Sequence, residues 1–306
     1  MSKSNNDFRN YSNDKNDSVA NVYKKMLENQ TLDYVLSEKE KHSTYPFIEK
    51  DIWEVIKKLD EIIDESDPDH TDPQSIHSYQ TACFLEKQLQ KNPKIRTLFT
   101  DESWNCLPKK IKKLYGEDKT ILDYYYYINS WDWLPLIGFI HDLGKVLVLA
   151  EWCNYPQWSV VGDTFPVGVA LSSQVVYSET CPHLQNIDSI YTKFCGFKNM
   201  HLSYGHDEYM ATVLERNEND LPEEAIYIIR FHSFYPWHTP RYKDKMRGYA
   251  RFASWQDWEM LPLLKLFQSA DLYSKVPNEK IPSFDEIYDK FDGIIRTFFK
   301  DTKLLW

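Results

Sequence analysis

Residues 136–147 read LIGFIHDLGKVL, and three polar side chains inside that apolar run decide the fold. Across 131–149 nearly every residue is apolar apart from His141, Asp142 and Lys145, which marks a helix buried on all sides. Carrying a charge into such an interior costs roughly several kcal/mol unless it is paired or bound to a metal. Neighbouring helical residues stand about 100° apart, so His141 and Asp142 can reach one cation, and Lys145, four residues beyond His141, faces the same way. The three are expected to converge.

Working outward, further ligand-type residues interrupt apolar segments: His77 in SIHSYQTA, His206 in YGHDEYM, His232 in IIRFHSFYPWHT and Asp271 in LFQSADLYSK. With His141 and Asp142 they make four histidines and two aspartates on five helix-like segments. One ion takes about three or four protein ligands, so six suit two ions that share a bridging carboxylate.

The rest of the chain also reads as helix. Residues 19–36 and 46–64 have apolar residues three and four apart (Val22, Met26; Ile52, Val55, Ile56, Leu59, Ile62, Ile63). Asp72-Pro73 resets the chain as N-cap and first helical residue, which puts His77 in the first turns of the next helix. Pro222-Glu223-Glu224 opens another, running to His232 before Pro236 stops it. From about Trp255, Leu264, Phe267, Asp271 and Lys275 form one stripe. TFPVG at 164–168 and the stretch 276–283 read as loops, and no βαβ alternation or internal repeat appears.

Composition narrows the classes. The chain has 306 residues and net charge −10, with a pI near 5.4. That balance argues against a nucleic-acid surface, which needs clustered Lys and Arg. Cys83, Cys106, Cys153, Cys181 and Cys195 are odd in number and contain no CxxC pair, so reduced core thiols are expected rather than a disulfide framework or a zinc ribbon. No stretch is apolar and long enough to span a bilayer, and the polar N-terminus lacks a signal sequence's apolar core. A protein of the cytoplasm, without membrane contact, is expected. Neither GxGxxG nor GxxxxGK[ST] is present, so NAD, flavin and ATP are not expected.

The order His77, His141-Asp142, Asp271 resembles the H…HD…D core of HD-domain metalloproteins, a superfamily dominated by phosphohydrolases. The surrounding strings are more specific. DESDPDHTDPQSIHSYQTA (64–82), LIGFIHDLGKVL, PQWSVVGDTFPVG (156–168), MHLSYGHDEYM (200–210), IRFHSFYPWHT (229–239) and DLYSK (271–275) all resemble the myo-inositol oxygenase family, and the likeness runs from FRNY at 8–11 to Trp306. It implies an all-α fold: a single compact HD-domain-like helical bundle with short loops or a minor hairpin. Residues 1–18 would be a partly disordered leader able to close over the site, and 19–306 one catalytic domain.

The resemblance also implies a mixed-valent pair of non-haem irons, Fe(II)/Fe(III), and ring cleavage of myo-inositol with dioxygen to D-glucuronate and water, by a monomer. One iron would take His77, His141 and Asp271, the other His206 and His232, with Asp142 bridging. Imidazole and carboxylate suit iron. Lys145 and Asp142 would be the catalytic pair, Lys145 donating to the substrate hydroxyls, its pKa pressed down by burial beside two cations. Asp64, Glu65, Ser66, Gly162, Asp163 and Ser233, with His232 and Lys145, occupy substrate-contact positions, and Arg9 would close the pocket. The alternative is a dinuclear HD-type phosphohydrolase, disfavoured by the acidic charge and the lack of Arg/Lys clusters for phosphate.

Other polar residues have plainer readings. His42, His70, His183, His201 and His238 read as surface or supporting histidines. Asp207 and Glu208 suit a helix N-terminus, where acids are favoured. Lys275 either reaches the site or pairs with Asp271 on a helix face. The run Tyr124–Tyr127 reads as packing, and residues 241–258 as an extended basic loop.

Overall fold

Helices dominate the computed structural model, which describes residues 17–44, 47–66, 73–91, 131–241, 247–273 and 282–306. The expected helix over 19–36 divides into α1 (Asp17–Asn29) and α2 (Leu32–Thr44). The break falls at Gln30, whose carboxamide serves another segment: Nε2 donates to the Tyr204 carbonyl at 3.0 Å and Oε1 accepts the Tyr204 N–H at 2.9 Å. Thr31 restarts the helix, its hydroxyl accepting the Tyr34 N–H at 3.2 Å.

The expected helix over 46–64 is shorter, because residues 49–51 are drawn into a strand. β1 (Glu49–Asp51) pairs antiparallel with β2 (Lys303–Leu305), Lys50 opposite Leu304. The strands are far apart in sequence, so this is a long-range ladder and not the minor hairpin expected. Asp51 ends β1 and starts α3 (Ile52–Leu59): Oδ1 caps the Trp53 N–H at 2.9 Å and Oδ2 accepts the Thr302 hydroxyl at 2.6 Å. At the other end of α3, Asp60 receives the Ser75 N–H and hydroxyl, both at 2.8 Å. That tie fixes the start of α4 (Gln74–Lys91), which carries His77. Pro73 stands just before α4, its carbonyl accepting the Ile76 N–H at 3.0 Å. Asp72 lies outside the described residues.

α5 (Trp133–Ile140) is the centre of the molecule: all eight residues are buried, each large side chain contributing roughly 1.5–3 kcal/mol. It packs along α4, and Phe139 stacks on Phe291 with ring centroids 4.3 Å apart. The helix does not continue through 149. His141 and Asp142 form a turn, and Leu143–Val148 follow as 3-10 helix. In that tighter coil residues three apart eclipse, so Lys145 faces Asp142 and not His141.

The chain then runs through residues 149–205 mostly as irregular backbone with short 3-10 turns, a longer connection than the short loops expected. Four helices follow in the described residues before the last: α6 (His206–Arg216), α7 (Glu223–Phe231), the four-residue α8 (Tyr235–His238) and α9 (Trp255–Tyr273). Pro236 lies in the first turn of α8 instead of stopping α7. α10 (Phe284–Phe298) leads to β2. One contiguous cluster of buried side chains extends from Val19 to Trp306. Among the described residues, no helix is long and apolar enough to cross a membrane, and Cys83, Cys153, Cys181 and Cys195 are free thiols.

Candidate metal centre

The six ligand-type side chains meet at one buried place, each 9% exposed or less. α4 supplies His77, the turn after α5 supplies His141 and Asp142, α6 begins with His206, α7 is capped by His232, and the last turns of α9 supply Asp271. Asp142 sits between two groups. Its Oδ2 lies 3.4 Å from His141 Nε2 and 3.7 Å from His77 Nε2, while Oδ1 lies 3.4 Å from His206 Nε2 and 3.8 Å from His232 Nε2. Asp271 Oδ1 completes the first group, 2.9 Å from His77 Nε2 and 3.6 Å from His141 Nε2. In the second, the Nε2 atoms of His206 and His232 are 3.3 Å apart.

The close approach of Asp142 and His206 depends on a residue without a side chain. A Cβ on Gly144 would lie 1.9 Å from the backbone oxygen of His206. Only glycine lets the 3-10 turn rest on the first turn of α6.

Three imidazoles are fixed through their other nitrogen. His141 Nδ1 lies 2.9 Å from the Gly138 carbonyl, His206 Nδ1 2.8 Å from that of Val160, and His232 Nδ1 2.7 Å from that of Ile229. A carbonyl only accepts, so Nδ1 carries the proton in each ring and Nε2 presents a lone pair inward. His238 supports this from outside, its Nε2 lying 2.8 Å from the His232 carbonyl. His141 Nε2 is buried without a hydrogen-bond partner, an unusual state for a polar atom and one that a metal would relieve. These donors fit a pair of first-row ions: the triplet His77, His141 and Asp271 and the pair His206 and His232, joined by the Asp142 carboxylate.

Burial and the neighbouring carboxylates act in opposite directions on the histidines. Burial lowers the pKa values of His77 and His206, keeping them neutral as ligands must be. For His232 burial acts in the same direction, but Asp142 and Asp207 outweigh it and raise the value. Burial raises Asp142, yet His141 and Lys145 hold its carboxyl well below the usual range, and His141 and His77 do the same for Asp271. Lys145 is pulled both ways by the chain's own groups. Burial pushes its pKa down, while Asp142 Oδ2 at 2.9 Å and Asp64 Oδ2 at 2.8 Å raise it above the ordinary lysine value.

The other candidate residues have various partners, with Asp64 in contact with Lys145. Asp64 is buried and accepts the Ser66 N–H at 2.9 Å and hydroxyl at 2.6 Å. Asp163 is buried and accepts the Tyr23 hydroxyl at 3.0 Å. Ser233 Oγ is 3.4 Å from His206 Nε2, and Gly162 is half-buried against Met26 and Tyr23. Glu65 differs: its side chain is exposed, because the alternation that buries Asp64 and Ser66 turns it outward. Asp207 accepts from the Thr164 hydroxyl, and Glu208 binds Lys39 and Arg230 at 3.0 Å each, so neither joins the centre. Arg9, the leader to residue 16, His70, Cys106, Tyr124–Tyr127 and Lys275 lie outside the described residues.

Sequence reading missed Gln74, whose Oε1 accepts from Lys145 Nζ at 3.3 Å. Its place three residues before His77, on one helix face, was the available signal. It also missed Tyr235, whose hydroxyl reaches Asp271 Oδ2 at 3.5 Å.

The chain is also similar to known proteins over nearly its whole length. The chain matches the family profile described as Myo-inositol oxygenase over residues 16–112 and 109–306. It is 35% identical to the inositol oxygenase of Mus musculus over 100% of this chain and 93% of that protein. Against the inositol oxygenase of Homo sapiens the identity is 36%, covering 94% and 87%. A protein of Oryza sativa subsp. japonica named probable inositol oxygenase is 35% identical, covering 98% and 85%. The carboxylate-joined centre therefore sits in a chain that, over nearly its whole length, belongs to the myo-inositol oxygenase family.

Proposed function

We propose that this protein is an inositol oxygenase that opens the ring of myo-inositol with dioxygen to give D-glucuronate and water. The observation that carries the reading is Asp142, whose two oxygens face two separate histidine groups. His77, His141 and Asp271 would hold one iron, His206 and His232 the other, with Asp142 joining them. Bound there, the iron pair would supply Lewis acidity toward a vicinal diol and the electron transfers to dioxygen. The balance closes without another cofactor: cleaving the diol to an aldehyde and an acid releases the four electrons that reduce dioxygen to water.

The chain's own groups account for the rest. Lys145 holds a protonated ammonium beside Asp142 and Asp64, placed to donate to a substrate hydroxyl. Asp64, Ser66, Asp163 and Ser233 offer acceptors and hydroxyls to a ligand that presents only hydroxyl groups. Phe267, fully buried with its ring centroid 5.4 Å from that of His141, excludes water from the far side. Residues 19–306 act as one catalytic domain, supported by the continuous buried cluster.

The test combines metal and turnover in one sample. Two irons per chain with a coupled mixed-valence EPR signal, and one dioxygen consumed per inositol without NAD or ATP, are expected. Two zinc, manganese or magnesium ions with phosphodiester turnover would replace this reading with the hydrolase.

A further inference from the structure

Gln157 begins the 3-10 turn Gln157–Ser159, and its carboxamide crosses to the loop that carries Asp64. Nε2 donates to the Ile63 carbonyl at 2.9 Å, and Oε1 accepts the Glu65 N–H at 3.5 Å. One side chain thus holds the peptide groups on both flanks of Asp64, as a neighbouring strand would. The loop needs such a tie: Ile63 is 82% exposed and Glu65 is exposed, while Asp64 between them is buried against Lys145. The same turn reaches the metal centre. The Gln157 carbonyl accepts the N–H groups of Val160 and Val161, each at 3.0 Å. Val160 in turn presents its carbonyl to both the backbone N–H of His206, at 2.9 Å, and its Nδ1, at 2.8 Å.

We infer that Gln157 is a positioning residue for the polyol, fixing the Asp64 carboxylate and, through Asp64, the direction of the Lys145 ammonium. One turn would then set both His206 and the substrate-facing loop in a common frame. The inference rests on the reading of Asp64 as a substrate contact. The side chain serves the loop and the backbone serves His206, so substitution separates the two.

The experiment uses the full chain with Gln157→Leu, which is one bond shorter and has no polar atom, and Gln157→Glu, which keeps an acceptor but sets a carboxylate against the Ile63 carbonyl. Amide exchange of the peptide 60–66, measured without substrate, should quicken several-fold in both, and iron per chain should be unchanged. With myo-inositol, KM should rise about three- to tenfold in Gln157→Leu, the effect of losing one or two neutral hydrogen bonds. The Gln157→Glu variant should rise further, and kcat should stay within about twofold. Wild-type exchange at 60–66 overturns the inference whatever the substrate. So does faster exchange with unchanged KM, or a loss of iron, which would make the role structural. If the wild-type protein does not oxidise inositol, the functional reading fails, and exchange at 60–66 alone decides whether Gln157 clamps the loop.

Discussion

Replacing Gly144 with alanine should cost the second metal. The added Cβ would stand 1.9 Å from the His206 backbone oxygen, and real Cβ contacts essentially never fall below 3.0 Å, so the two segments must part by at least 3.0 − 1.9 = 1.1 Å. His206 Nε2 and Asp142 Oδ1 are 3.4 Å apart. Two donors at bond lengths of about 2.0–2.2 Å can share one ion only if their separation is below roughly 4.3 Å. Taken up along that line, the displacement gives 3.4 + 1.1 = 4.5 Å, too wide for one ion to span. Overpacking adds about 1–3 kcal/mol of destabilisation, at roughly 2–4 °C of melting temperature per kcal/mol for a chain of this size. Metal analysis and a thermal melt on the same preparation are the assay. Gly144→Ala should hold about one ion per chain and melt several degrees lower. Two ions at the wild-type melting temperature would refute the close-approach argument.

Three further outcomes are expected. Lys145→Ala should retain both irons, since the lysine is no ligand, yet lose about one to two decades of kcat/KM, the effect of about 1.5–3 kcal/mol from one charge-assisted hydrogen bond; wild-type kcat/KM at full iron would show that the lysine only packs. Asp60→Ala removes both bonds to Ser75 and should destabilise by about 1 kcal/mol, as loss of a helix cap does, read as a shift of the urea midpoint with unchanged slope; an unmoved midpoint would show that the tie is idle. Burial, with some repulsion from Glu224, pushes the Glu259 carboxyl up from 4.5 to about 7, so the folded protein keeps a proton that the unfolded chain loses, and stability falls as pH rises across that interval. Glu259→Gln should therefore raise the melting temperature relative to wild type at pH 8 and leave it nearly unchanged at pH 4.5, and an equal effect at both would contradict the shift.

The convergence of His77, His141, Asp142, His206, His232 and Asp271 was legible because each interrupts an apolar helical run, where an ionisable group needs a partner. Helix identity was legible for the same reason, since a buried stripe repeats every three to four residues. What escaped is non-periodic. Gln30 and Gln157 bind backbone groups of distant segments, and a lone glutamine carries no spacing from which to infer that. The turn at His141-Asp142 was hidden because apolar residues continue on both sides, and the contact of Gly144 with His206 that accompanies it joins segments sixty residues apart. Lys145 was placed correctly near Asp142, but its proton affinity depends on Asp64, whose approach is set by a loop.

The β1–β2 ladder has a consequence for how the protein is made. Residues 49–51 find their strand partner only when 303–305 have been synthesised, about 250 residues later, which at roughly 5–20 residues per second is a wait of about 12–50 s. Until then Asp51 lacks Thr302, and α3, which orients α4 and His77 through Asp60, is held at one end only. The nascent chain would thus carry several imidazole and carboxylate donors long before their geometry is set, open to whichever cation the cell offers first. A late-closing ladder would delay final selection of the metal until residues 303–305 are made, when all six side chains can compete for it together.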